Sequence, residues 1–185
     1  MHARLPLLLL TVLLTAFALP AEASSKVRLE VDVLDSSDKD RDTIDSSKYG
    51  AGKKEVQEVK FTLEVVNRSF SEVEGLTAKV YIFGYSAFED AVSRNVDYQL
   101  AKTFETEPFA VKYNEEKMVD LGTVTFASSV SSKASSRSVT TYFGGSKYGG
   151  WAVEVMHQGE VILTDYRNSD CKKAYRRVAG KKKNR

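Results

Sequence analysis

The chain has few of the residues that catalysis and metal binding use most. Its 185 residues include one cysteine and two histidines, so an internal disulfide is excluded and a zinc or copper site lacks ligands. His2 stands at the start, which leaves His157 as the one base for a dyad with Cys171. No glycine-rich phosphate loop of either standard pattern is present. We therefore predict no enzyme, no catalytic residue, no metal and no cofactor.

The first 23 residues have the layout of a secretory signal peptide. A short basic start precedes an apolar run from Leu5 to Leu19, and Ala21-Glu22-Ala23 forms a small-x-small cleavage site. The run is shorter than the roughly 20 residues that span a bilayer, so a retained anchor is the weaker alternative. We expect a secreted or periplasmic protein, and bacterial, because small eukaryotic secreted domains usually carry several disulfides.

Charge is distributed unevenly along the chain. The last fourteen residues, 172–185, carry eight Lys or Arg and no acid. Of the 26 basic and 24 acidic residues that follow the leader, this leaves 18 basic and 24 acidic in residues 24–171. We predict three parts: a signal peptide over 1–23, a domain over 24–170 and a basic tail over 171–185. The tail residues that could contact an anionic surface are Lys172, Lys173, Arg176, Arg177, Lys181, Lys182, Lys183 and Arg185.

Apolar residues alternate with polar ones over most of the domain, which predicts β-strands. The clearest segments are VRLEVDVL, VKFTLEVVN, LTAKVYIFGY, VDYQLAKTF, MVDLGTVTF and SVTTYF, with a break of phase at Gly122 that is typical of a bulge. With the last hairpin they give roughly eight strands. An all-β fold, an immunoglobulin or fibronectin III-like sandwich of about seven to nine strands, would bury their apolar faces.

Three segments interrupt this alternation. Residues 35–54 are predicted to form a long polar loop, and 128–138, with seven serines in eleven positions, a flexible one. The chain end is predicted to form a short helix capped by Asp170 and ended by Gly180. In the first loop, Asp38, Asp40 and Asp42 have the alternate spacing of a calcium site. Thr43 and Tyr49 stand where such a loop needs Gly and Glu, which favours a solvated loop.

The segment YGGWAVEVMHQGEVILTDY, residues 148–166, predicts a hairpin. Gln158-Gly159 can form its two-residue turn because glycine readily adopts positive φ. His157 then flanks the turn and pairs with a carboxylate, a role that needs no chemistry. The predicted cross-strand pairs are Trp151–Tyr166, Val153–Thr164, Val155–Ile162 and His157–Glu160.

Tyr81, Phe83 and Tyr85 are predicted to form an aromatic stripe on the strand face turned away from the core. Such a stripe could stack on sugar rings or contact another protein. The alternative is that the long loops or the C-terminal segment pack over it. The sequence leaves both open.

The segments YGGWAVEVMHQGEVILTDYRNSD and FTLEVVNRSFSEVEGLTAKVYIFG resemble secreted immunoglobulin-like sandwich proteins of Planctomycetes and Verrucomicrobia bacteria. The likeness covers residues 56–170 and lies in the strand pattern, with one extra glycine at Gly149-Gly150. It implies an exported, non-enzymatic domain and assigns no functional residue.

We therefore expect an immunoglobulin-like domain with a structural or protein-binding role at the bacterial cell envelope. The alternatives are a carbohydrate-binding module that uses the aromatic stripe and a small secreted hydrolase with two converging acids. The expected partner is an envelope protein or glycan and not nucleic acid, and homo-oligomers remain open.

Overall fold

The computed structural model describes residues 27–46, 50–92, 96–136 and 138–183, and within these it leaves out the side chains of 42–51, 92 and 181–183. Antiparallel strands dominate, and two helices complete the fold. The elements are β1 (Leu29–Ser46), β2 (Gly50–Asn67), β3 (Val73–Ser86), α1 (Ala87–Val92), β4 (Tyr98–Glu105), β5 (Phe109–Val111), β6 (Glu116–Ala134), β7 (Val139–His157), β8 (Glu160–Tyr166) and α2 (Ser169–Lys183).

The strands form two facing layers joined by β7. The hydrogen-bonded order is β1-β2-β6-β7-β3-β4, with β5 on β3 and β8 on β7. The first part of β7, residues 139–145, pairs with β6, and the part from 146 onward pairs with β3. We call β1, β2, β6 and the start of β7 layer A, and β3, β4, β5, β8 and the rest of β7 layer B. The all-β prediction is confirmed at this level.

The core lies between the layers and follows the alternation read from the sequence. From β2 it takes Val59, Phe61, Leu63 and Val65, each fully buried, and from β3 the row Leu76 to Ile82. Fully burying one such side chain contributes about 1.5–3 kcal/mol, so this double row is the main stabilising feature of the domain.

The prediction of a loop over 35–54 is wrong for the residues that the structure describes, 35–46 and 50–54, which are strand; residues 47–49 lie outside the described set. β1 and β2 pair continuously from Leu29 with Asn67 to Ser46 with Gly50. Arg41 donates to Glu55 across this ladder at 3.2 Å. The described side chains from Ser36 to Arg41 lie on alternate faces and are all polar, so backbone hydrogen bonds and cross-strand pairs hold a strand that shows no alternation.

The serine-rich segment and the strand that follows it also differ from prediction. β6 continues through Ser128 to Ala134, paired with both β2 and β7. The predicted strand SVTTYF and the first strand of the last hairpin are one strand, β7. The sequence analysis did not predict β5 or α1, which are three and six residues long and too short to show a period.

Two turn and bulge predictions are confirmed and one register is corrected. Register shifts where Phe61 faces Gly122 and Thr62 faces Asp120, which places the bulge at the predicted position. His157 pairs with Glu160 around the Gln158-Gly159 turn, as predicted. The register of this hairpin shifts by one residue between Met156 and Val155, on the side away from the turn. Beyond this point Val155 pairs with Leu163 and Ala152 with Tyr166. The predicted pairs Trp151–Tyr166, Val153–Thr164 and Val155–Ile162 are therefore wrong by one residue, because the strand bulges at Ile162.

α2 forms where a helix was predicted, with different ends. The side chain of Asn168, not Asp170, caps it, accepting from the backbone N–H groups of Asp170 at 3.0 Å and Cys171 at 2.8 Å. The helix continues past Gly180 to Lys183. Among the described residues, neither helix has the length and apolar character of a membrane-spanning segment.

Candidate functional site on the helical layer

α2 forms a third layer on the outer face of layer B. Cys171 and Ala174 are buried against Tyr81, Phe83 and Ala152, which point away from the main core. Tyr98, Tyr166, Tyr175 and Val178 pack around this second, smaller core. The apolar side of α2, formed by Cys171, Ala174, Tyr175 and Val178, is thus the side that contacts the sheet.

A tyrosine–glutamate group connects α2 to the sheet beneath it. The hydroxyl of Tyr81 donates to Glu154 at 2.7 Å, and the hydroxyl of Tyr175 donates to the other oxygen of the same carboxylate. The two rings lie edge to face with centroids 5.4 Å apart. Burial, followed by the hydrogen bond to Glu154, raises the pKa of both phenols above the ordinary value. These groups therefore stay protonated and act as donors.

Cys171 is fully buried where α2 crosses β7. Burial raises the pKa of its thiol to about 11. A Cβ at Gly150 would lie 2.6 Å from the Cys171 sulfur, so the absence of a side chain there permits the close approach. A buried, protonated thiol is a poor nucleophile, and Cys171 packs here as a small apolar residue.

The aromatic stripe is covered by the C-terminal segment, which is the second of the two alternatives that the sequence left open. Tyr81 and Phe83 retain 3% and 0% of their accessible surface, because α2 covers them. Tyr85 is half-buried and stacks on Tyr98 at 5.6 Å with an interplanar angle of 17°. The prediction that these rings face away from the core is confirmed, and the prediction that they present a binding surface for sugar loses its geometric basis.

The outward side of α2 carries Lys172, Lys173, Arg176 and Arg177, all exposed. Lys173 pairs with Asp170 at 2.8 Å, and Arg177 pairs with Asp97 and donates to the Tyr98 carbonyl at 3.0 Å. Lys172 lies over the Tyr166 ring, 5.6 Å from its centroid. We call these four residues the basic helix face. Lys181, Lys182 and Lys183 continue the helix, with side chains outside the described set, and Arg185 lies outside the described residues.

An open depression of about 680 Å³ flanks this face. Its lining contains both signs of charge: the basic residues Lys173, Arg176 and Arg177 and the acidic residues Asp97 and Asp170. Such a surface suits reversible charged contacts better than enclosure of a small molecule, since ligand pockets are mostly apolar and bury most of the ligand.

The remaining candidate residues lie apart from α2 and from one another. His157 is half-buried at the β7–β8 turn. Asp38 and Asp40 are exposed on β1, not in a loop, and the side chain of Asp42 lies outside the described residues. Within the described ranges, no group of three or more His, Cys, Asp or Glu side chains is arranged to hold a metal ion.

A polar group that no sequence pattern indicated fastens layer A to layer B. Asp35 of β1 accepts from the Tyr148 hydroxyl at 2.7 Å and pairs with Arg167, whose guanidinium lies 5.5 Å from the Tyr148 ring centroid. Glu154 was missed in the same way. Both are single acids whose partners are more than 20 residues away, so no local pattern reveals them.

Comparison with known proteins adds little to this picture. No protein-family model matches the chain, and no curated protein matches it. A crystal structure of a protein from Akkermansia muciniphila matches 76% of this chain and 72% of its own, at 19% identity and a TM-score of 0.24. A likeness at that TM-score carries no argument about fold or function.

Proposed function

We propose that the chain is an exported bacterial protein, a non-enzymatic immunoglobulin-like domain with a structural or protein-binding role at the cell envelope. The leader-like first 23 residues support export, and their apolar run ends at a small-x-small site. Two antiparallel layers that share one core, with a strand passing from one layer to the other, support the immunoglobulin-like assignment.

The binding role rests on the orientation of α2 on the sheet. Its apolar side is buried in the protein, so the side left for partners is polar and charged. A helix that inserts into lipid needs its apolar side free. The basic helix face is therefore suited to an acidic partner surface in water, reached through salt-sensitive contacts.

Export is tested by expressing the full chain in a bacterial host and measuring its intact mass in each cell fraction. We expect to find the protein in the periplasm or the medium, with the intact mass of a chain that begins at Ser24. Full-length protein confined to the cytoplasm would contradict the proposal.

The binding role is tested by retention on washed cell envelopes. Reversing two charges on the helix in Lys172→Glu/Arg176→Glu should lower retention about tenfold or more. Lys112→Glu/Lys133→Glu, which changes net charge equally on two exposed residues elsewhere, should be retained like the wild type. Equal retention of both variants would contradict a role for the basic helix face.

A further inference from the structure

The outer face of layer A is strongly acidic. Between Glu30 and Asp40 of β1, the side chains that point away from the core belong to six cross-strand rows through β1, β2 and β6. Lys60 is the only basic residue in these rows. The acids are Glu30, Asp32, Asp38, Asp40, Glu58, Glu64, Glu116 and Asp120. We call this surface the acidic sheet face.

Like charges stand directly opposite one another on this face. Asp32 pairs in register with Glu64, and Asp38 with Glu58. Opposed like charges destabilise a sheet. Among the described residues, ion pairs offset two of these acids: Lys60 lies 2.9 Å from Asp120 in the middle rows, and Arg68 lies 3.0 Å from Glu30 in an end row. The two opposed like-charge pairs stand on either side of Lys60. They are electrostatically unfavourable in the isolated molecule, and a basic partner would relieve them.

The basic helix face is on the opposite outer layer of the same molecule. The order through the molecule is acidic sheet face, core, layer B and then α2. Packed layers are about 10 Å apart, so the two faces are separated by about 20 Å, more than twice the screening length of about 8 Å at physiological salt. Among the described residues, no ion pair joins the two faces within one copy.

We propose that the acidic sheet face of one copy binds the basic helix face of a second copy. The helix fits within the length of the sheet face: Lys172 to Lys183 spans about 16 Å of helix, and Glu30 to Asp40 about 33 Å of strand. A polyanion would engage α2 and leave the acidic sheet face unpaired, whereas a second copy engages both. Because the two surfaces differ, the contact is heterologous and its repetition builds a ring or a filament.

The test is light scattering of the purified chain, residues 24–185, which contain every described residue. At low ionic strength we expect assemblies larger than a monomer that dissociate as salt is raised. Glu58→Lys/Glu64→Lys and Lys172→Glu/Arg176→Glu should each associate about tenfold or more weakly. Mixing the two variants should restore association, because each new surface is complementary to its counterpart on the other.

The matched control is Glu72→Lys/Glu107→Lys, with the same change in net charge at two exposed sites outside the acidic sheet face. It should associate like the wild type. Glu58→Lys/Glu64→Lys should also melt at a higher temperature than the wild type under high salt, where both are monomers, since it removes both like-charge pairs. Stability gained while association is lost separates a docking role from misfolding.

Three results would overturn the inference: a wild type that is monomeric at low salt, an acidic-face variant that associates normally, or a control that is as impaired as the variants. This test uses purified protein alone. It can therefore fail while export and envelope retention hold, and the reverse is equally possible.

Discussion

Single polar residues connect the layers of this protein. Glu154 accepts hydrogen bonds from two phenol hydroxyls, one from the sheet and one from α2. Asp35 accepts a hydrogen bond from Tyr148 and forms an ion pair with Arg167. Within the described residues every buried side-chain polar atom has a hydrogen-bond partner. Losing one such partner leaves the other unsatisfied, at a cost of about 1–3 kcal/mol. Point substitutions at these sites should therefore affect the docking of whole layers.

Stability should fall at alkaline pH through the phenols on Glu154. The pKa of Tyr81 and of Tyr175 is raised in the folded state, so both bind their protons more tightly there than in the unfolded chain. This contribution is complete below about pH 10 and is lost as pH rises above it. In denaturant titrations from pH 8 to 11.5, Tyr175→Phe should lose stability less steeply than the wild type. Tyr113→Phe, at an exposed loop site, should keep the wild-type slope.

The contact between Gly150 and Cys171 should be intolerant of a methyl group. Gly150 has φ 143°, and an added Cβ would lie 2.6 Å from the sulfur, so strain and overpacking act together. Gly150→Ala should lower the free energy of unfolding by about 3 kcal/mol or more. Gly159→Ala, with φ 84° and open space around the Cβ, should cost about 1 kcal/mol. Equal losses in chemical denaturation would contradict the crowding at α2.

At the scale of elements, α2 decides what the outer face of layer B presents. It converts an aromatic strand face into a second core and leaves charges outside. A helix of 15 residues is marginal by itself, so its cap and its apolar contacts determine whether it stays docked.

The helix cap is tested by replacing two residues separately with alanine: Asn168, which caps α2 in the structure, and Asp170, which the sequence suggested as the cap. Asn168→Ala removes the acceptor for two backbone N–H groups and should destabilise the protein by about 1 kcal/mol. Asp170→Ala removes an exposed pair with Lys173 and should cost less than about 0.5 kcal/mol. Thermal melts of the two variants decide, and a larger loss for Asp170→Ala would contradict the cap assignment.

The sequence predicted elements that bury one face and missed elements that do not. Rows such as Val59 to Val65 alternate because every second side chain enters the core. The described side chains from Ser36 to Arg41 are polar on both faces of β1, so pairing alone makes this stretch a strand and no period marks it. The bulge at Ile162 lies two residues beyond Glu160, where the turn chemistry of Gln158-Gly159 no longer fixes the register.

The candidate site was predictable in its parts and not in its assembly. Helical spacing indicated which α2 side chains are apolar and which are basic, and strand alternation separated Tyr81 and Phe83 from the core. That the first set covers the second is a tertiary contact between residues about 90 positions apart, and no local pattern encodes it. The acidic sheet face became visible only when cross-strand register placed acids from three strands in the same rows.

At the scale of the whole molecule, charge is sorted between opposite outer layers. The layered order places negative charge on layer A and positive charge on α2, with two sheets between them. The modest net charge of +2 conceals this arrangement. A molecule with two complementary and separate faces is suited to head-to-tail contact between copies.

Zero-length carbodiimide cross-linking is the most direct test of contact between the acidic sheet face of one copy and the basic helix face of another. The reagent joins a lysine to a carboxylate only when the two are in contact. Unlabelled and nitrogen-15-labelled chains are mixed at low salt, and mass spectrometry identifies peptides that join the two. We predict links between labelled and unlabelled copies from Lys172 or Lys173 to Glu58 or Glu64, absent at high salt. Links confined to pairs within one copy, such as Lys173–Asp170, would contradict the account.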